Sequence, residues 1–526
     1  MNWKVSLKKS DDLIEQLLIN RGIKTVKEKE KFFNPKIEDF EKDFSISGIE
    51  KAAVRIKKAI ENQELIIAYG DYDVDGICGA AVLYLGLTKL GAKVLPYIPH
   101  REKEGYGLSQ LGMEFARDSG ASVVISVDCG IVNFEASDFA KEIGLDLIIT
   151  DHHQPDGKKR PTSLAIVHDT SLCGTAVAWC LVKSLLGKNA EELLDLVGIA
   201  TIADMMPLTG ANRVLVKKGI EKLNTTQRVG LLALFGEAGM VKGNIGSYEI
   251  GHIIAPRLNA MGRLEHAIDS LRLLCTKDPK KARNLADLIS ETNNQRKKLT
   301  KDAIEGARLK IIDGKKIHVL VDAWNPGIIG LVAGRICEET KLPVIAIAKG
   351  ELHSKGSARS IDGVNIVEVL RKCEDILVAV GGHPGAAGFT IETTRIKELQ
   401  NRLEELMDSA SQGDALRVQI DIEAEATVKQ LTVDLANQIV KFEPYGTGNP
   451  KPILATENMR LTDLRTVGEG KHLKGKADNI EFIAFSKGSL IDLLQNGQLA
   501  SLAYNLEIDR YNNTEKLQLN VKDIII

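Results

Sequence analysis

No C-x-x-C pair occurs among the seven cysteines, which lie at 78, 129, 173, 180, 275, 337 and 373. A structural zinc site and a disulfide framework are thereby set aside, and buried thiols are expected. No uninterrupted apolar run reaches the ~20 residues that cross a bilayer, and the opening MNWKVSLKKSDDLIEQ lacks the apolar core of a secretion signal. The expectation is a cytoplasmic protein with no membrane attachment. Aromatic residues make up only 5% of the chain, too few for a dense stacking surface. An excess of charge is missing too, with 69 Lys+Arg against 71 Asp+Glu. No global polycation announces a nucleic-acid partner, although a local basic groove beside an acidic metal site averages to the same value. The sequence also has no G-x-x-x-x-G-K-[ST] loop, so nothing points to ATP-driven unwinding.

What is present is a long alternation of apolar runs and helical patterns. After a charged N-terminal segment (1–45), ELIIAYG, SVVISVDCG, LDLIITDHH and LAIVHD alternate with stretches such as AAVLYLGLTKLG and GTAVAWCLVKSLLG. That order predicts an α/β domain with a parallel sheet, over 46–277. Residues 278–312, nearly free of Gly and Pro, carry Leu285, Leu288 and Ile289 at helical spacing and predict a long, partly exposed connecting helix. A second, smaller α/β unit follows over 313–407. Beyond the polar MDSASQGD, short strand-like runs over 413–526 predict an all-β barrel, with an OB-fold as first choice.

In an open parallel sheet, ligands bind beyond the carboxyl ends of the strands. Here the first strand runs into GDYDVDG with Asp71, Asp73 and Asp75, the second into Asp128, and the third into Asp151, His152 and His153; a later helix ends at Asp204. Taken alone, D-x-D-x-D reads as an acidic surface turn closed by Gly76. Alternation on an extended backbone instead puts three carboxylates on one face, where they repel unless a cation intervenes. Carboxylates and imidazoles without thiolate suit Mn²⁺ or Mg²⁺, and their number implies two ions acting at a phosphorus centre. His152 reads as a metal ligand, and His153 as a neighbouring hydrogen-bond donor or acid.

Taken in order, GDYDVDG, VDCG, TDHH, GTAVAWCLV, IADMMPL and GGHPGAAGF resemble the DHH phosphoesterase superfamily with a DHHA1 domain after the DHH domain. Within it, the chain is most similar to the bacterial exonucleases specific for single-stranded DNA. The resemblance covers nearly the whole chain, including RLNAMGRL, GSARS and FEPYGTGNPKPIL. It implies metal ligation by Asp73, Asp75, Asp128, His152 and Asp204, with Asp128 bridging two ions. Many superfamily members carry a histidine where this chain has Tyr69, four residues before Asp73, and Asp71 is the candidate substitute. The resemblance further implies that Arg101, Ser357 and Arg359 grip a 5′ phosphate, an assignment that suits an arginine fork and a hydroxyl. Arg257, Asn259 and Arg263 are expected near the scissile or adjacent phosphate, and Gly382 and His383 at a close backbone approach to the strand.

In the C-terminal barrel, Tyr445, Lys471, Lys474 and Phe485 are candidates for holding single-stranded DNA. The expected activity is removal of nucleotides from the 5′ end of single-stranded DNA, in recombination and repair. A helicase and a single-strand binding protein are expected partners, and the enzyme is expected to be a monomer. An enzymatic alternative is a phosphodiesterase of short oligonucleotides or small nucleotides. A non-enzymatic one is a single-stranded-DNA-binding protein that keeps the fold without the chemistry.

Overall fold

The computed structural model describes residues 2–43, 45–409, 419–509 and 515–526. Residues 413–418 and 510–514 of the expected 413–526 barrel fall outside these residues, as do most of the polar MDSASQGD stretch, Met1 and Phe44. The chain folds as two compact units, Ile46–Asp204 with Lys222–Gly413, and Met1–Ser45 with Met205–Glu221 and Asp414–Ile526. Among the described residues, no helix is long and apolar enough to cross a membrane.

The first unit is built on a five-stranded parallel sheet in the spatial order Lys93–Tyr97, Leu65–Gly70, Ala121–Val127, Asp146–Asp151, Ala165–His168. Ile66, Ile67, Val123, Val124, Ile125, Ile148 and Ile149 are fully buried, as expected for strands covered by helices on both faces. The first strand in sequence lies inside the sheet, with the second on one side of it and the third on the other. This reversal opens a crevice at the carboxyl ends of Leu65–Gly70 and Ala121–Val127. Gly70 pairs with Val127, and Val127 with Thr150, so the residues that follow these strands emerge at one edge.

The connecting helix runs Pro279–Arg308, capped by Asp278, whose side chain accepts from the Lys280 and Lys281 N–H groups. Its Ala282, Leu285, Ala286 and Ile289 are buried in its first half. Ala303 and Ala307 join a core formed with Val332, Ile336 and Val344. A second sheet follows in the order Leu377–His383, Ala386–Glu392, His353–Arg359, Val344–Ala348, His318–Asp322, parallel only between the last two. GGHPGAAGF is therefore the tip of an antiparallel hairpin, although its run of small residues on its own suggests a turn from strand to helix.

In the other unit, strands Leu454–Val467, His472–Ala477, Ile480–Ala484, Lys516–Ile525 and Leu499–Asp509 pair in that order, and the last pairs back with the first. The ring closes into the OB barrel around Leu461, Leu473, Phe482, Leu502, Tyr504 and Leu519. The charged N-terminal residues fold onto it. Asn2–Val5 pairs in parallel with Gln419–Ile422, and Leu13, Leu17 and Leu18 enter the barrel core.

Candidate active site

The opening acidic motif is not extended. The strand stops at Gly70, and Asp73 caps a helix over Val74–Lys89, accepting from the Asp75 and Gly76 N–H groups at 2.9 and 3.2 Å. The three carboxylates are brought together by a strand-to-helix turn rather than by β alternation. Asp75, in the first helical turn, accepts from the Gly174 and Thr175 N–H groups at 2.6 and 2.8 Å. Those groups open the helix Gly174–Leu186, and a helix N-terminus favours negative charge.

Asp128 follows the strand Ala121–Val127 with φ 63°, a left-handed conformation held by its N–H bond to Thr150 O at 3.0 Å. Such a strained non-glycine backbone at a strand end is a recurrent mark of functional sites. Asp204 caps the C-terminus of helix Leu194–Ala203. His152 Nε2 lies 3.1 Å from Asp128 Oδ1, 3.7 Å from Asp204 Oδ2 and 3.8 Å from Asp75 Oδ2.

Asp151 turns away from this cluster. Its Oδ1 accepts from the His152 and His153 N–H groups and lies 2.8 Å from His153 Nδ1, while Oδ2 accepts from the Ile131 N–H. It orients the imidazole pair. Burial alone pushes His153 down, but the bond and charge of Asp151 outweigh it and raise its pKa above the ordinary value.

Three groups of ligand atoms converge within 4.8 Å: Asp71, Asp73 and Asp128; Asp75, His152 and Asp204; and Asp128, His152 and His153. Asp128 links the first set to the third, and His152 the third to the second. Burial and then its neighbouring carboxylates raise the Asp128 pKa well above normal; Asp71 and Asp73 rise for the same reasons. Asp204 is pushed up to about 8 by burial and then by Asp75 and Asp73. Each pair of like charges ~4 Å apart costs on the order of 4 kcal/mol at an effective dielectric of about 20. A set this dense needs protons or cations. Asp71 Oδ1, His152 Nε2 and Asp204 Oδ2 are buried without a hydrogen-bond partner, which fits metal ligation and not a hydrogen-bonded core. Tyr69 takes no part: it is fully buried and its hydroxyl donates to Gly107 O at 3.0 Å. Asp71 is the group that stands beside Asp73 and Asp128.

Next to the carboxylates is a cavity of about 1070 Å³ lined by Tyr72, Arg101, Tyr106, Arg263, Ser357 and Arg359, among others. Arg101 stacks over Tyr72, 4.9 Å from the ring centroid. Ser357 and Arg359 lie on one face of His353–Arg359, with Nη1 and Oγ 3.4 Å apart. Arg263 is pushed down to about 10, first by burial and then by Arg101, Arg296 and Arg359, with Asp73 opposing. Among the described residues, Arg101, Arg263 and Arg359 form no ion pair with a carboxylate. Half-buried guanidinium groups gathered in this way prepare an anion site.

The remaining expected residues are distributed less favourably. Asn259 Oδ1 accepts from the Val74 N–H at 3.0 Å, so its carbonyl braces the acidic turn. Arg257 lies outside the cavity lining, and its Nη1 donates to Ile253 O. Gly382 and His383 lie at the exposed hairpin tip, whereas Gly381 and Gly388 line the cavity. In the barrel, the Tyr445 hydroxyl donates to Ile439 O, Lys471 pairs with Glu469, and Lys474 pairs with Glu481. Phe485 is exposed and touches His472 edge-on.

Sequence reading missed Tyr106. Its hydroxyl donates to Asp128 O at 3.1 Å and lies 3.0 Å from His153 Nδ1, tying the imidazole to the carboxylate turn. Its place in EGYGL, five residues after Arg101, was the available signal. Arg296, on the charged connecting helix, gave none.

The family model described as DHH family, N-terminal domain, matches residues 65–202; DHHA1 domain matches 313–409; and RecJ OB domain matches 422–523. A Bacillus subtilis protein named single-stranded-DNA-specific exonuclease RecJ is 38% identical over 98% of this chain and 68% of its own length. The crystal structure of Thermus thermophilus RecJ in complex with Mn²⁺ superposes with a TM-score of 0.87 at 30% identity, over 100% of this chain and 79% of that one. The Mg²⁺ complex from the same organism gives 0.81 at 28%, over 100% and 78%.

Proposed function

Because the chain belongs to the RecJ family of single-stranded-DNA-specific exonucleases, we propose that it removes 5′-mononucleotides stepwise from the 5′ end of single-stranded DNA. The observation that carries this reading is the continuity of the two half-sites. Tyr106 lines the guanidinium cavity and also touches both Asp128 and His153. A terminal phosphate held by Arg101, Arg263, Ser357 and Arg359 thus lies beside carboxylates suited to act on the adjoining phosphodiester.

Asp73, Asp75, Asp128, His152 and Asp204, extended by Asp71, would hold two Mn²⁺ or Mg²⁺ ions. When bound, such ions supply a nucleophilic water at neutral pH and offset charge on the phosphoryl oxygens. The protein's own part is positioning and proton control. Asp151 and Tyr106 fix the His153 ring, which in its protonated form is a donor to a phosphoryl or leaving oxygen. Asn259 and the Gly174 and Thr175 amides hold the acidic turn in place. The C-terminal barrel, by its match to the RecJ OB domain, adds a surface for the rest of the strand.

The test is digestion of single-stranded DNA labelled separately at each end, with Mn²⁺, Mg²⁺ or EDTA, beside Asp128→Ala. Metal-dependent release of mononucleotides from the 5′ end, lost in the variant, is expected. Turnover of dinucleotides alone would overturn the reading in favour of a short-substrate phosphodiesterase.

A further inference from the structure

A second cavity, a cleft of about 1020 Å³, shares no lining residue with the anion cavity, and all of its lining belongs to the first unit. Its walls are the far ends of elements that carry the candidate active site. The helix Val74–Lys89 starts beside Asp73 and Asp75 and brings Tyr84, Leu85 and Lys89 into the cleft. The helix Leu194–Ala203, which Asp204 caps, brings Asp195. The helix Ile268–Cys275, which follows that of Asn259 and Arg263, brings Leu274 and Cys275. Tyr84 and Asp195 thus stand roughly 13 Å along their helices from Asp75 and Asp204.

Four cations line the cleft, Lys89, Lys222, Lys277 and Arg228, against two carboxylates, Glu192 and Asp195. Arg228 is committed to Asp195. Its Nε and Nη2 donate to that buried carboxylate at 3.0 Å and its Nη1 donates to Leu274 O, so the pair ties three elements together as a floor. Glu192 accepts from Lys89 at 2.7 Å, and that bond, with the charges of Lys89, Lys222 and Arg228, holds its carboxyl below the ordinary value against the effect of burial. One carboxylate therefore serves several cations. Among the described residues, Lys222 and Lys277 form no ion pair, and Lys222 is half-buried. Tyr84, Leu85, Leu186 and Val229, all partly exposed, give the cleft an apolar wall with one aromatic ring.

We propose that this cleft is an effector site for a nucleoside 5′-phosphate, with the phosphate on Lys222, the base against Tyr84 and its apolar neighbours, and occupancy felt at the active-site carboxylates through the two helices. This goes beyond the exonuclease reading. A cleft of this size with an apolar wall and a few charged groups is built for a small molecule. An inorganic anion would leave the apolar wall uncovered, and an apolar molecule would leave the lysine unpaired. A nucleoside phosphate meets both. Its source is either the deoxynucleoside monophosphate that the proposed reaction releases or a ribonucleotide. A ligand that favours one placing of the helix ends over another biases the opposite ends too, and the coupling is reciprocal.

The first experiment is calorimetry in EDTA without DNA, titrating dAMP, AMP and inorganic phosphate into wild type, Lys222→Glu, Tyr84→Ala and Arg359→Ala. The guanidinium cavity also accepts a phosphate, so wild type is expected to bind two equivalents of nucleotide. Lys222→Glu should weaken one of them by at least ~10-fold, and Arg359→Ala the other. Tyr84→Ala should weaken nucleotide binding in the cleft about tenfold and leave inorganic phosphate unchanged. The tighter binder of dAMP and AMP identifies the source. In a digestion assay, saturating nucleotide should shift the Mn²⁺ concentration for half-maximal activity by at least ~5-fold in wild type. It should not do so in Lys222→Glu, whose rate without nucleotide stays that of wild type. A single equivalent that Arg359→Ala removes and Lys222→Glu keeps overturns the site. A second equivalent that leaves the Mn²⁺ requirement unchanged overturns its role as an effector. The calorimetry uses no DNA, so its outcome and that of the exonuclease reading are separate.

Discussion

Asp128 shows how far a single residue departs from its intrinsic chemistry when a fold demands it. Burial and four neighbouring carboxylates favour its neutral form, and Asp204 shares that fate at about 8. A folded-state pKa raised from 3.8 to about 8 means that Asp204 stabilises the fold when protonated, and that this contribution is lost as pH climbs between those values. In EDTA, the melting temperature is therefore expected to fall from pH 5 to pH 8. Saturating Mn²⁺ should flatten that slope, and a slope of opposite sign would refute the assignment. Asp128→Asn should stabilise the metal-free protein at neutral pH while lowering activity by at least ~10³-fold, because it removes a buried carboxyl that folding forces towards its protonated form, and with it the link between ligand groups. Tyr106→Phe takes away one hydroxyl that touches His153 and Asp128 O. A net hydrogen bond of about 1 kcal/mol corresponds to a kcat roughly fivefold lower at unchanged KM, read in steady-state kinetics.

At the scale of elements, the sequence made the convergence of strand ends legible because parallel strands buried on both faces leave continuous apolar runs, and each run here ends in Asp or Asp-His-His. It misled on how Asp71, Asp73 and Asp75 meet, because a two-residue period looks the same on a strand and across a turn that becomes a helix. Two glycines explain why that turn closes. A Cβ at Gly76 would lie 2.3 to 2.5 Å from Asp71 backbone atoms, and one at Gly174 would lie 2.7 Å from Asp128 Cα and Cβ. Gly174→Ala is thus expected to displace Asp128 and to weaken Mn²⁺ binding by at least ~10-fold, measured by calorimetry, with a smaller loss of stability. The surroundings of Tyr445 were less legible. Its motif opens the barrel domain, and Asn449 near its end is buried and donates to Phe442 O and Pro444 O, an ordering of the loop that the residue types alone do not announce.

Over the whole chain, residues far apart in sequence share single cores. The anion cavity takes Arg101 and Arg263 from one α/β region and Ser357 and Arg359 from the other. Arg359→Ala should accordingly reduce kcat/KM on 5′-phosphorylated strands by about 10²-fold, and have little effect on strands with a 5′ hydroxyl. The barrel unit is equally non-local, and the N-terminal segment looked separate only because its charged positions outnumber its apolar ones. Leu17 and Leu18 are almost wholly buried in the barrel core, and Arg21 binds Glu423 and Asn449. Burying each leucine contributes about 1.5–3 kcal/mol, so removing Leu13, Leu17 and Leu18 together forfeits several. That is a large part of the ~5–15 kcal/mol by which a domain is stable. A fragment spanning 419–526 is therefore expected to unfold in urea without a cooperative transition. Joining residues 2–43 to it should restore part of that cooperativity, and a sharp two-state transition in the bare fragment would show that the N-terminal helices are accessory.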